Sequence, residues 1–262
     1  MDTIREHLWI WGHVAGSYNG EYGLPDSTMG ALEGAQYLGV ENLILISYKG
    51  LPEPPYENLA RELSPLKRVV WSVVGAGGTS RGFEEELTAT QALAAQFPNF
   101  VGAMMDDFFK SDEAPQPAVY TPEQLAALRE RLHASARPLD LWVVLYAHQL
   151  HMPIAPHLAE CDVLTFWTWK AEELSQLEEN FARAEVLAPR PRKVLGLYMF
   201  DFGNARPLPV PLMERQCELG LKWLREGRVE GLILLSTSIC DLGLETVEWS
   251  RRWVEAVGDE QL

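Results

Sequence analysis

The sequence predicts an α/β fold, a single (β/α)8 TIM barrel domain over residues 1–262, and three observations carry that prediction. Short apolar runs alternate with longer amphipathic stretches through eight cycles. Each run is apolar nearly throughout, as a strand buried on both faces of a parallel sheet must be. No G-x-G-x-x-G follows the first run and no G-x-x-x-x-G-K-[ST] occurs anywhere, so the glycine-rich signatures of open nucleotide-binding sheets are missing.

The first run, Leu8 to Val14, leads into a loop from Ala15 to Pro25 that is longer than a βα connection needs and holds Tyr18, Asn19, Glu21 and Tyr22. Gly39, just past Leu38, suits a helix C-cap before the second run, Asn42 to Ser47. The third run is Arg68 to Gly75. After it, Phe83, Leu87, Ala94 and Phe97 recur at helical spacing, which predicts a helix packed on the sheet. The fourth run, Phe100 to Asp106, precedes a second long loop, Phe109 to Tyr120, with Pro115 and Pro117. Thr121-Pro122-Glu123-Gln124 then supplies an N-cap threonine, proline at the first helical position and a capping-box glutamine. The remaining runs are Leu139 to His148, Asp162 to Trp169, Lys193 to Phe200 and Gly231 to Ser238. Eight consecutive β-then-α units imply parallel strands with right-handed crossovers, and closure removes the exposed edges of an open sheet.

Charge narrows the partners. With 22 basic and 37 acidic side chains the chain carries a formal net charge of −15, which repels phosphate backbones and anionic lipid surfaces. Nucleic acid and membrane are excluded as partners, no stretch reaches the roughly 20 apolar residues of a membrane span, and the amino terminus lacks a signal-peptide pattern, so a cytoplasmic location is expected. Cys161, Cys217 and Cys240 form no C-x-x-C pair and read as reduced, buried thiols. No cofactor is expected.

In a (β/α)8 barrel the reacting groups gather where strands run into their following loops. Those positions here are polar and aromatic: His13, Ser47, Tyr48, Ser72, Asp106, Asp107, Tyr146, His148, Trp167, Trp169, Tyr198, Asp201, Ser236 and Ser238. Period-two alternation groups Gly102, Met104 and Asp106 on one face of the fourth strand. It likewise groups Trp142, Val144, Tyr146 and His148, then Thr165, Trp167 and Trp169, then Gly196, Tyr198 and Phe200. If these faces line the barrel, the polar members converge on one pocket. The leading signal is Met104-Met105-Asp106-Asp107-Phe108, two carboxyls ending an apolar strand, because an ionised carboxylate there is costly unless paired, hydrogen-bonded or used.

Paired carboxyls among stacking aromatics suit glycoside chemistry, in which one group protonates the leaving oxygen and another stabilises or attacks the oxocarbenium-like centre. The chain resembles the (β/α)-barrel glycoside hydrolases in its strand pattern throughout and, at residue level, in Asp106-Asp107, in Trp167 and Trp169, and in Tyr198. The resemblance implies a small-molecule or oligosaccharide substrate, Asp106 and Asp107 as catalytic carboxyls, and His13, Glu21, Tyr48, Tyr146, His148, Trp167, Trp169, Tyr198 and Asp201 as substrate contacts. Asp stands where many of those families carry glutamate, and the D-x-x-D-x-D-x-E of chitinase-like barrels is absent. The second carboxyl therefore stays open among Asp107, Asp201 and Glu21.

Two other readings compete with hydrolysis. One is a non-catalytic carbohydrate-binding barrel. The other is a metal-dependent sugar isomerase-like barrel using Asp106, Asp107, His148 and Asp201, although no local metal-ligand spacing such as H-E-x-x-H occurs and no metal residue is assigned. Lys170 at the end of the sixth strand would suit a Schiff base, but alternation turns it away from Trp169. Trp9, Trp71, Trp223, Trp249 and Trp253 are expected to pack helices on the barrel.

Overall fold

The computed structural model describes residues 2–78, 82–110 and 116–262. Eight parallel strands close into a barrel in sequence order: Leu8–Gly12, Asn42–Leu45, Arg68–Val74, Phe100–Met105, Asp140–Tyr146, Val163–Trp167, Arg192–Tyr198 and Gly231–Leu235. The eighth strand returns to the first, pairing Leu232 with Leu8 and Leu235 with Trp11. The fold is the (β/α)8 barrel that the eight apolar cycles predict. Every strand stops one to three residues short of its apolar run, because the chain leaves the ladder for tight turns such as Ala147–Gln149 and Thr237–Ile239.

The local signals read from the sequence act as their chemistry requires. Thr121 and Gln124 exchange hydrogen bonds at 2.8 and 3.3 Å to start the helix Pro122–His133. Gly39 ends the helix Ala31–Leu38 at φ 68°, the left-handed conformation in which glycine has no Cβ penalty. The helix Phe83–Gln96 buries Leu87, Leu93 and Ala94 against the barrel, with Phe83 and Phe97 half-buried at its ends. Among the described residues no helix is long and apolar enough to cross a membrane.

Tryptophans fill the barrel. Trp9 and Trp142 meet edge to face at 5.2 Å, and Trp11 and Trp167 do so at 5.1 Å. Small residues opposite make the room: a Cβ on Gly102 would lie 2.5 Å from Trp142 Nε1, and one on Gly196 would lie 2.0 Å from Trp167 Cε3. Trp9 therefore belongs to the barrel interior, not to the helix layer where the sequence reading put it. Trp71 packs outward on Tyr56 and Phe100, and Trp223 stacks on Phe181 at 4.3 Å.

Candidate active site

A cavity of about 1280 Å³ opens at the C-terminal ends of the strands. His13, Glu21, Tyr48, Asp106, Asp107, Tyr146, His148, Trp167, Trp169 and Tyr198 all line it, so ten of the eleven residues singled out from the sequence share one pocket. Asp201 is the exception. Its buried carboxylate accepts from Ala171 N–H at 3.3 Å, Asn204 Nδ2 at 2.9 Å and Arg206 Nε at 2.9 Å, which pins the short antiparallel ribbon Phe200–Asp201 and Arg206–Pro207 outside the cavity wall. That ribbon in turn presents Phe202 to the pocket, where alternation had suggested Phe200.

Asp106 follows the fourth strand directly, tied to the third by its N–H to Val74 O at 2.9 Å. Its side chain is buried, and its Oδ1 accepts the Asp107 N–H at 2.9 Å. Removal from water first, and the neighbouring Asp107 charge second, hold this carboxyl well above the usual carboxylate range; the Asp107 N–H pulls the other way. Successive strand residues point to opposite faces, yet Asp107 lines the same cavity, because its φ of 45° breaks the alternation. Asp tolerates this left-handed geometry better than most residues do.

The third strand's loop approaches closely enough to fix Asp107. A Cβ on Gly78, at φ 65°, would lie 2.9 Å from the Asp107 carbonyl oxygen, so a bare backbone is needed there. Gly77 N–H donates to Asp107 Oδ2 at 2.7 Å, and Tyr146 Oη donates to Asp107 Oδ1 at 2.8 Å. Both donors are neutral. Among the described residues no lysine, arginine or histidine pairs with either Asp106 or Asp107.

Aromatic rings form the rest of the wall. Trp169 stands perpendicular to Tyr146 at 5.9 Å and to Tyr198 at 5.8 Å, while Trp167 leans on Tyr198 at 5.2 Å. His148 is exposed at the rim, stacked on Tyr146 at 5.3 Å. Burial, reinforced by the surrounding acidic groups, raises the hydroxyls of Tyr146 and Tyr198 far above their usual range, so both remain hydrogen-bond donors. His13 is buried against Tyr18 at 4.7 Å, and desolvation lowers its ring to about 3, keeping it neutral; the Ile46 carbonyl opposes that shift.

The long first loop forms a wall through Tyr18, Glu21 and Tyr22. Asn19 Nδ2 anchors it by donating to Pro25 O at 2.8 Å and Ser238 O at 2.7 Å, and Tyr18 Oη bonds Ser236 Oγ. Ser236 and Ser238 thus hold the loop instead of facing the cavity. Glu21 accepts from Tyr48 and lies 2.7 Å from Lys49 Nζ, contacts that lower its carboxyl, Lys49 first. Of the second long loop, Phe109, Lys110 and Val119 line the pocket, while 111–115, including Pro115, lie outside the described residues.

Several lining residues escaped the sequence reading, among them Trp11, Glu86 and Val73. Trp11 sits two positions before His13, so alternation run backward from His13 would have found it. Glu86 lies inside an acidic run and gives no separate signal; Tyr56 Oη donates to its two oxygens at 2.8 and 3.0 Å. Val73 replaces Ser72 at the wall because an irregularity in the register between Ser72 and Val74 turns Ser72 inward onto Val74 O.

The competing chemistries lose their residues. Lys170 is exposed and outside the cavity, which removes the Schiff-base reading. With Asp201 bonded into its ribbon, the four ligands of the isomerase reading do not assemble. Among the described residues the cluster whose ligand atoms fall within 4.8 Å of one another is His133, Asp140 and Asp162, at the opposite end of the barrel. There Asp162 accepts from His133 at 2.9 Å and from Leu141 N–H at 2.8 Å, and Asp140 pairs with Arg192 at 2.5 Å.

No protein-family model matches the chain, and no curated protein matches it. Solved structures do. The chain is similar to active domain 2 of a chitinase from Pyrococcus furiosus, with 11% identity, TM-score 0.61, and coverage of 98% of this chain and 97% of that one. It is similar to a chitinase from Pseudoalteromonas aurantia at 13% identity and TM-score 0.57, covering 95% and 99%. The xylanase and α-amylase inhibitor protein from Scadoxus multiflorus matches at 12% identity and TM-score 0.59, covering 95% and 98%. At these identities the likeness establishes a shared barrel fold.

Proposed function

We propose that this barrel binds a carbohydrate in its aromatic mouth and hydrolyses a glycosidic bond, with Asp106 as the acid that protonates the leaving oxygen. The observation that carries this reading is the pairing of a buried, proton-holding Asp106 with the Asp107 carboxylate inside one aromatic pocket. A general acid must carry a proton when its substrate is bound, and burial beside a second carboxyl favours the protonated form. Trp167, Trp169 and Tyr198 offer flat faces to sugar C–H groups, while Tyr146 and the neutral His13 offer hydrogen bonds to hydroxyls. The cavity exceeds the roughly 300–1,000 Å³ of ordinary small-molecule sites, which suits an oligosaccharide better than a single ring.

Asp107 is the candidate for the second role, holding negative charge beside the developing positive centre. Asp106→Asn tests the assignment on a panel of aryl glycosides and oligosaccharides. Loss of turnover by about 10²–10⁴-fold, with ligand binding retained, is expected for a removed general acid. Unchanged turnover of every accepted substrate in the variant would end the assignment.

A second reading, binding without catalysis, draws on one fact: both Asp107 oxygens already accept hydrogen bonds, from Gly77 and Tyr146. The same panel separates the two. Saturable glycan binding by the wild type without turnover of any bound glycan supports the binding barrel.

A further inference from the structure

The Asp107 carboxylate lines an aromatic pocket, and among the described residues the two hydrogen-bond donors to its side chain, Gly77 N–H and Tyr146 Oη, are both neutral, while the cationic or titratable side chains that line the same cavity, Lys49, Lys110 and the rim His148 stacked on Tyr146, form no ion pair with it. Neutral donors fix the position of a carboxylate without cancelling its charge. Beside it, Trp169 stands at 82° to Tyr146 and 83° to Tyr198, so the three rings make the walls of a corner. A perpendicular pair leaves one ring's electron-rich face open beside the other's edge, and such faces attract cations. The whole chain adds to the attraction, since a net charge of −15 raises the local concentration of cations at an acidic mouth. Lysines do reach the cavity rim, but Lys49 is tied to Glu21 at 2.7 Å and Lys110 is exposed.

We infer that the corner formed by Asp107, Tyr146, Trp169 and Tyr198 is a cation subsite, so that the glycan this pocket takes carries a protonated amine. The inference rests on the carbohydrate reading above for the nature of the ligand's scaffold. The corner itself recognises an ammonium group of any origin. An amine beside the scissile bond would pair with Asp107, and the rings would replace part of its hydration with their π faces. Glycans bearing carboxylates or sulfates would meet Asp107 as a like charge and be rejected.

The test is calorimetric titration of the wild type at about pH 6, where an ordinary amine is protonated, with three probes: a β-1,4-glucose tetramer, its 2-amino-2-deoxy counterpart of the same length, and tetramethylammonium. The amino tetramer is expected to bind at least about tenfold tighter than the neutral one, a difference that shrinks with added salt. Asp107→Asn should abolish the preference, and Trp169→Leu should reduce it. Asn can keep its oxygen as the acceptor for Gly77 N–H, donate its amide to Tyr146 Oη, whose hydroxyl can rotate to accept, and tolerate the left-handed backbone at φ 45°; circular dichroism checks the fold of the variant.

Equal affinity for the two tetramers overturns the cation subsite and leaves the carbohydrate reading standing. A preference that survives in Asp107→Asn overturns the assignment to Asp107. Binding of tetramethylammonium that depends on Asp107, with neither tetramer bound, upholds the subsite and removes the carbohydrate reading. No binding of any of the three removes both.

Discussion

Asp106→Asn is expected to change how stability responds to pH. In the folded chain Asp106 is only 4% exposed and holds its proton well above the usual carboxyl value of 3.8, at which the unfolded chain releases it. Between those two points the folded state binds one more proton than the unfolded state. Stability therefore falls as pH rises through that window, by up to about 1.4 kcal/mol per pH unit for a single group. Asn cannot titrate, yet its Oδ1 can still accept the Asp107 N–H that Asp106 accepts at 2.9 Å. The variant should therefore gain steadily on the wild type as pH rises above the unfolded value, by up to about 1.4 kcal/mol per pH unit, with the difference levelling off once the native carboxyl itself ionises. Urea denaturation of both proteins across that range measures the difference directly, because every other titrating group is common to the two. Parallel stability curves would show that Asp106 ionises normally and would remove the basis for the proposed acid role.

His13 works in the opposite direction. Burial lowers its ring from 6.5 to about 3, so the stability it confers is present above pH 6.5 and is lost as pH falls toward the folded value; its ring proton shifts should stay constant from about pH 8 to 4.5 in NMR titration. Asp201→Ala should cost about 1–3 kcal/mol in denaturant melts by orphaning the donors from Ala171, Asn204 and Arg206, and, under the proposed function, should weaken glycan binding through the displaced Phe202 while leaving Asp106 in place. Gly196→Ala should destabilise by about 1–3 kcal/mol or prevent folding, since the new Cβ would sit 2.0 Å from Trp167; a changed near-ultraviolet tryptophan signal would report the displaced ring, and a wild-type signal and stability would contradict the packing described.

The barrel was legible in the sequence because strand burial is a local property. Runs such as Val163–Trp167 and Gly231–Leu235 are apolar throughout, and in a closed parallel sheet both faces of each strand are covered. Alternation likewise carried Asp106, Tyr146, Trp167 and Tyr198 to one mouth, since side-chain direction along a regular strand follows from counting by two.

Counting fails where the backbone leaves the strand, and there contacts from distant segments decide. Asp107 enters the cavity through a left-handed residue braced by the glycine loop of the third strand, about thirty residues away. Asp201, another aspartate just past a barrel strand, is drawn aside by Asn204 and Arg206. The first loop becomes a pocket wall because Asn19 reaches Ser238, across nearly the whole length of the chain. The sequence by itself determined the number, order and burial of the strands and which chemistry stands at their ends. The tertiary structure alone decided which of those carboxyls face the cavity, because loop side chains are oriented by hydrogen bonds and steric room supplied from other strands' loops.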